Sequence, residues 1–218
     1  MEAPIGARVL ASRTAARIAV PHDATPEWSH GGGPGDPQAC GHRVSETAIF
    51  RTALGDDVLG DDPTVIELQN RMAEMLGKEE GLFVSSGTMC NATAIRAQTE
   101  PGDEIVTEGY SHIYIYEGGG YAALSGVSVA LVSGNMGIME PADVAKAIRK
   151  GDGSLGHYPN GSMVCVENTS NRGGGTCYPL ETMDAIAAVA RENSCRSHVD
   201  GARIFNASVA TGQDAARI

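Results

Sequence analysis

The stretch GLFVSSGTMCNATAIR, residues 81–96, decides the fold class. Gly81 to Val84 is a short apolar run that reads as a buried strand. Ser85-Ser86-Gly87-Thr88 interrupts it with small polar residues, and a helix is predicted from there through Arg96. The same texture recurs downstream. Glu104 to Thr107, Val127 to Val132, Ser162 to Val166 and Ser197 to Val199 read as further strands, with helices expected from Pro141 to Lys150 and from Pro179 onward. Strands alternating with helices of about ten to fifteen residues need crossover connections. The fold class is therefore α/β, a mostly parallel sheet with helices on both faces.

Upstream, Asp62 before Pro63 marks a helix start, because Asp accepts from open amides and Pro suits the first turn. Val65, Leu68, Met72, Met75 and Leu76 follow at helical spacing until Gly77 ends the pattern. Residues 21–47 hold Pro21, Pro26, Gly31-Gly32-Gly33-Pro34-Gly35 and Pro37 with no apolar periodicity. Residues 1–47 are accordingly read as a leader or linker, disordered or transit-like. Arg8, Arg13 and Arg17 stand among apolar residues without an acid between residues 3 and 20, so an organellar address is the alternative to a cytoplasmic one.

A net charge of −11 over 218 residues disfavours attraction to nucleic acid or anionic lipid, both of which need surplus Lys and Arg. No apolar run reaches the length of a membrane span, so no membrane partner is expected. Five cysteines, odd in number and without a C-x-x-C pair, indicate neither a disulfide framework nor a zinc site, and no metal is expected. A reducing compartment fits this usage.

Ligands on parallel sheets gather at the carboxyl ends of strands. That directs attention to Ser86-Gly87-Thr88, His112, Asn168 and Asp200. Open amides and the helix dipole at Ser86-Gly87-Thr88 suit a phosphate, although Ser86 or Thr88 serves equally as a plain helix cap. Neither a nucleotide P-loop nor a dinucleotide fingerprint occurs. Asp200, with Arg203 three residues on, can face an aromatic cationic nitrogen while the guanidinium meets a neighbouring oxygen, or can be a turn residue. His112 suits stacking on a flat ligand or a satisfied core position.

Five segments appear in one order. Gly55-Asp56-Asp57-Val58-Leu59-Gly60-Asp61-Asp62-Pro63-Thr64 resembles the G-D-D-V-x-G-x-D-P-T segment of threonine aldolases within the β-eliminating lyase superfamily. Leu82 to Asn91, His112 to Gly120, Glu167 to Gly175 and Asp200 to Ala207 follow it, and the similarity extends over about residues 53–218. The resemblance implies a pyridoxal 5'-phosphate enzyme that cleaves the Cα–Cβ bond of L-threonine or L-allo-threonine to glycine and acetaldehyde. Its partner would be a small β-hydroxy amino acid, and the complete enzyme a homo-oligomer. By the same resemblance Ser86, Gly87 and Thr88 bind the cofactor phosphate, His112 stacks on the pyridine ring, Asp200 pairs with the ring nitrogen and Arg203 lies near the phenolic oxygen. His157, in His157-Tyr158-Pro159, matches the second active-site histidine, on the side of the substrate hydroxyl.

The family's cofactor lysine lies downstream of the D-G-A-R segment, whereas the lysines of this sequence are Lys78, Lys146 and Lys150. An early Ser-Asp-Thr segment and a smaller C-terminal domain are likewise unmatched. The resemblance thus implies that residues 48–218 are an incomplete cofactor-binding large domain, a fragment inactive alone. Alternatives are another β-eliminating amino-acid lyase, or a non-catalytic partner of complete subunits.

Overall fold

The computed structural model describes residues 52–151 and 156–218, together with the backbone of 8–11. Apart from that short backbone segment, the stretch read as a leader lies outside the described residues. Two strands, β1 (Arg8–Ala11) and β2 (Glu80–Phe83), pair in parallel as a two-stranded sheet. Between them comes helix α1 (Pro63–Met75), started as expected at Asp62, whose side chain accepts from the amides of Thr64 and Val65 at 2.9 Å each. A third amide, Gly55 N, donates to the other oxygen at 3.1 Å, which ties the preceding segment to the helix start. Gly55 is required there, since a Cβ would lie 2.4 Å from the Asp61 carbonyl oxygen.

These bonds, the one from Val65 foremost, hold the Asp62 carboxyl below the usual range. The charged form is favoured in the native state, so the contribution to stability is present above the unfolded pKa and is lost as pH falls through the depressed native value. Asp62→Ala is expected to lower the urea midpoint at pH 7, and the gap to the parent should narrow below about pH 4. A gap constant down to pH 2 would contradict this.

After helix α2 (Gly87–Gln98) the main sheet begins. It contains β3 (Asp103–Glu108), β4 (Ser128–Val132), β5 (Asn160–Glu167) and β6 (Arg196–Asp200), all parallel in the order β4-β3-β5-β6. Short helices α3 (His112–Ile115) and α4 (Gly120–Ser125) join β3 to β4, α5 (Pro141–Ala147) joins β4 to β5, and α6 (Leu180–Glu192) joins β5 to β6. Helix α7 (Ile204–Thr211) follows β6.

The side-chain alternation of a strand explains why both faces are covered. In β3, Ile105 packs with Ile95, Ile113, Val127, Met163 and Cys165 on the face of α2 and α3. Its neighbour Val106 packs with Val132, Val144, Val164, Val166 and Ile186 on the face of α5 and α6. The fold class read from the sequence is the one observed.

Two local expectations are corrected. The helix from Pro141 stops at Ala147 instead of Lys150, because Ile148 turns extended and Arg149 turns to bond the buried Glu104 carboxylate. Strand β2 is half-exposed, with Leu82 41% accessible, and pairs with β1 outside the four-stranded sheet. Apolar content alone does not tell a sheet centre from an edge. Among the described residues no helix is long and apolar enough to cross a membrane, and Cys90, Cys165, Cys177 and Cys195 form no disulfide.

Candidate functional site

The chain leaves β3 first towards β4 on one side and later returns to place β5 on the other. The carboxyl ends of β3 and β5 therefore flank the topological switch point of the sheet, where such folds place a ligand crevice. His112 follows β3, and its backbone amide donates across the crevice to Glu167 Oε2 at the end of β5, 3.0 Å away. Glu167 Oε1 accepts from Asn171 N at 3.0 Å, so this buried carboxylate clasps both loops. Burial pushes its pKa up, with the two backbone bonds opposing the shift.

At the centre stands Asn91, buried on α2. Its amide nitrogen donates to Asp200 Oδ2 at 3.0 Å and to Glu117 Oε1 at 2.8 Å. Both amide protons are thereby used, so the bond between Asn91 Oδ1 and His198 Nε2, 2.9 Å, must be donated by the histidine. Burial lowers the His198 pKa, against the pull of Asp200, and so favours the neutral ring with its proton on Nε2. His112 Nδ1 lies 2.8 Å from Glu117 Oε1, and Glu117 is almost fully buried. With the carboxylate as acceptor, Nδ1 is the donor in this bond.

Ser86 is a true N-cap, its hydroxyl accepting from Met89 N at 3.1 Å, so the plain capping reading holds for that side chain. The amides of Gly87 and Thr88 occupy the first two helical positions and have no intrahelical acceptor. A Cβ on Gly87 would meet nothing within 4 Å, so protein packing does not demand glycine there. Gly87 and Asn91 are four residues apart and share a helix face, separated by about 6 Å of rise. An anion at the helix start and a cationic group at Asp200 can thus be bracketed by one small molecule.

Arg203 donates to the Thr169 carbonyl at 3.3 Å and lies 3.9 Å from Glu167, on the loop side of the crevice. Ser86, Gly87, Thr88, His112, Asp200 and Arg203 are accordingly drawn to one end of the sheet. His157 is not. It is exposed and precedes β5, whose eight residues carry the chain about 23 Å from Asn160 to Glu167, so within this chain it stands at the amino end of that strand. A residue before a strand and one after it lie at opposite edges of a sheet, which separates His157 from the Glu167 segment within this chain.

Asn91, Glu117 and Glu167 lie in the matched segments without an assigned role, and His198 lies two residues ahead of the last segment. The bonds that bring them together span 26 residues (Asn91 to Glu117), 109 (Asn91 to Asp200), 55 (His112 to Glu167) and 107 (Asn91 to His198), beyond any local pattern. The ligating atoms of His112, Glu117 and Asp200 also lie within 4.8 Å of one another, close enough for a cation, but the Asn91 amide and the His112 proton already bridge them. Cys90 beside this group has its thiol pushed up to about 12 by burial and by Asp200 and Glu117, which leaves it neutral.

The beta-eliminating lyase family model matches residues 39–218. The Arabidopsis thaliana protein named "Probable low-specificity L-threonine aldolase 2" is 41% identical over 174 residues, covering 79% of this chain and 49% of the relative. The low specificity L-threonine aldolase of Escherichia coli K12 is 37% identical over 171 residues, 78% of this chain and 50% of the relative. A solved structure from Listeria monocytogenes superposes with a TM-score of 0.67 at 23% identity, over 84% of this chain and 49% of that one, and supports the fold. The chain spans about half the length of the relatives it matches.

Proposed function

This chain belongs to the beta-eliminating lyase family, and on that premise we propose that residues 48–218 form the pyridoxal phosphate-binding domain of a carbon–carbon lyase acting on β-hydroxy amino acids, threonine among them, with glycine and an aldehyde as products. One observation carries the reading. The Asn91 bond to Asp200, 3.0 Å, ties helix α2, whose start offers open amides, to a half-buried carboxylate at the end of β6.

The residues fit the group. The free amides of Gly87 and Thr88, with the Ser86 cap fixing the helix start, would receive the phosphate. Asp200, oriented by Asn91 and by the Ala202 amide at 3.3 Å, would accept from a protonated ring nitrogen. Arg203 offers its guanidinium to the phenolic oxygen. When bound, pyridoxal phosphate supplies an electron sink for breaking the Cα–Cβ bond. His112 offers a flat face for the ring and a free Nε2 to take the hydroxyl proton as the aldehyde departs. Glu117 holds the imidazole in the tautomer that this requires.

None of the three lysines serves this crevice. Lys78 is exposed beyond α1, Lys146 pairs with Asp143 on α5, and Lys150 bonds the Gly161 carbonyl at the amino end of β5. Equilibrium dialysis of the purified 218-residue chain should therefore show saturable binding of pyridoxal phosphate, with pyridoxal binding far more weakly. Borohydride treatment should leave the lysines unmodified at saturation. Equal binding of pyridoxal and its phosphate, or a stoichiometric adduct on Lys78, Lys146 or Lys150, would overturn the site.

A further inference from the structure

We propose that Lys150 and Cys195 form a redox-sensitive modification site, in which peroxide joins the lysine nitrogen to the cysteine sulfur through a single oxygen atom. The pair lies at the amino end of the sheet, where β5 and β6 begin, so the inference does not depend on the cofactor reading at the opposite end. Lys150 Nζ stands 3.6 Å from Cys195 Sγ. Both groups donate to one acceptor, the Gly161 carbonyl oxygen, which lies 2.5 Å from the nitrogen and 3.2 Å from the sulfur.

The backbone holds both residues in place. Gly161 N donates to the Arg149 carbonyl at 2.6 Å, which lays the residue before Lys150 against the start of β5. A Cβ on Gly161 would lie 2.8 Å from that carbonyl oxygen, so this close approach requires glycine. The Arg149 side chain is anchored in turn on the buried Glu104 carboxylate. On the other side, Cys195 N donates to the Ala190 carbonyl at 2.8 Å and closes the end of α6. The Cys195 side chain is buried in the cluster of Val164, Ile186 and Ala190, which leaves the thiol little freedom to turn away from the lysine.

Of the three lysines, Lys78 is exposed beyond α1 and Lys146 pairs with Asp143, whereas Lys150 lies against a buried sulfur. Burial raises the Cys195 pKa and the nearby Lys150 cation opposes the rise, so the lysine is what sustains thiolate character at this sulfur. A first hydrogen peroxide converts the thiol to a sulfenic acid and releases water. A second converts the lysine amine, once its ammonium has given a proton to solvent, to a hydroxylamine and again releases water. Condensation of the two forms the N–O–S linkage and expels a third water. Sulfur and nitrogen each lose two electrons, and the two peroxides take up all four. The flexible stem of lysine lets its nitrogen close the remaining gap. In the competing fate the lysine only donates a hydrogen bond, and Cys195 continues alone to the sulfinic and sulfonic acids.

Mass spectrometry of the folded 218-residue chain separates these fates. Mild treatment with hydrogen peroxide should give a species that has gained one oxygen and lost two hydrogens, with Lys150 and Cys195 joined in one fragment after proteolysis. Dithiothreitol should return it to the parent mass. The same treatment in urea should yield about tenfold less, because nothing then holds the pair together. Cys195→Ser and Lys150→Arg should each abolish the linked fragment, and the second variant keeps the positive charge while removing the amine. Oxidation of Cys195 with Lys150 unmodified, a Cys195 that stays reduced while other thiols oxidise, or equal yields from folded and urea-treated chains would overturn the pairing.

Discussion

Asp200→Ala is expected to weaken binding of pyridoxal phosphate about a hundredfold, equivalent to about 2.7 kcal/mol. That magnitude is reasonable for losing a charge-assisted hydrogen bond from a half-buried carboxylate. Asp200 ends β6 and is held on both oxygens, by Asn91 at 3.0 Å and by Ala202 N at 3.3 Å, so it meets a cationic nitrogen without first paying rotamer entropy. Asn91→Ala should have an intermediate effect, because it removes the orienting bond and leaves the charge. Fluorescence titration alongside circular dichroism would separate lost binding from lost fold. An Asp200→Ala chain that keeps its fold and binds within threefold of the parent would refute the assignment of the ring-nitrogen partner.

The second large effect concerns the frame that carries the site. Ile105 is fully buried at the centre of β3, against Ile95 of α2 and Ile113 of α3, the two helices that present the anion-accepting amides and His112. Ile105→Ala is expected to cost about 3 kcal/mol, combining lost burial with the cavity left behind. Ile115→Ala, at a position 41% exposed, should cost about 0.5 kcal/mol or less. Urea midpoints measured at equal slope test the contrast; similar losses at the two positions would mean that β3 is not the packed centre.

How much was legible in the sequence varied with the range of the interaction. The strands at Glu104, Ser162 and Ser197 were each recognised within about two residues, because alternation and apolar runs are local properties. The start of α1 at Asp62 was equally plain, since a cap needs only residues within one turn. The end of α5 was missed. Its cause is Arg149 reaching Glu104, 45 residues away, and nothing in Ala145 to Lys150 announces that bond. The place of His157 illustrates the same limit: a motif gives order along the chain, whereas the side of the sheet depends on where the following strand begins.

By itself, the sequence determined the α/β class, the crossover rhythm, the capped start of α2 and the set of groups able to meet a phosphate and a cationic ring, because each follows from neighbours a few positions apart. Only the tertiary structure decided which of those groups share one crevice. The order β4-β3-β5-β6 brings Asn91 within hydrogen-bond reach of Asp200 and His112 within reach of Glu167, and leaves His157 at the amino end of β5. The physical reason is that a polar side chain about a hundred residues from its partner has no local propensity to report it. Packing of the two apolar faces of the sheet positions those groups, and their hydrogen bonds follow.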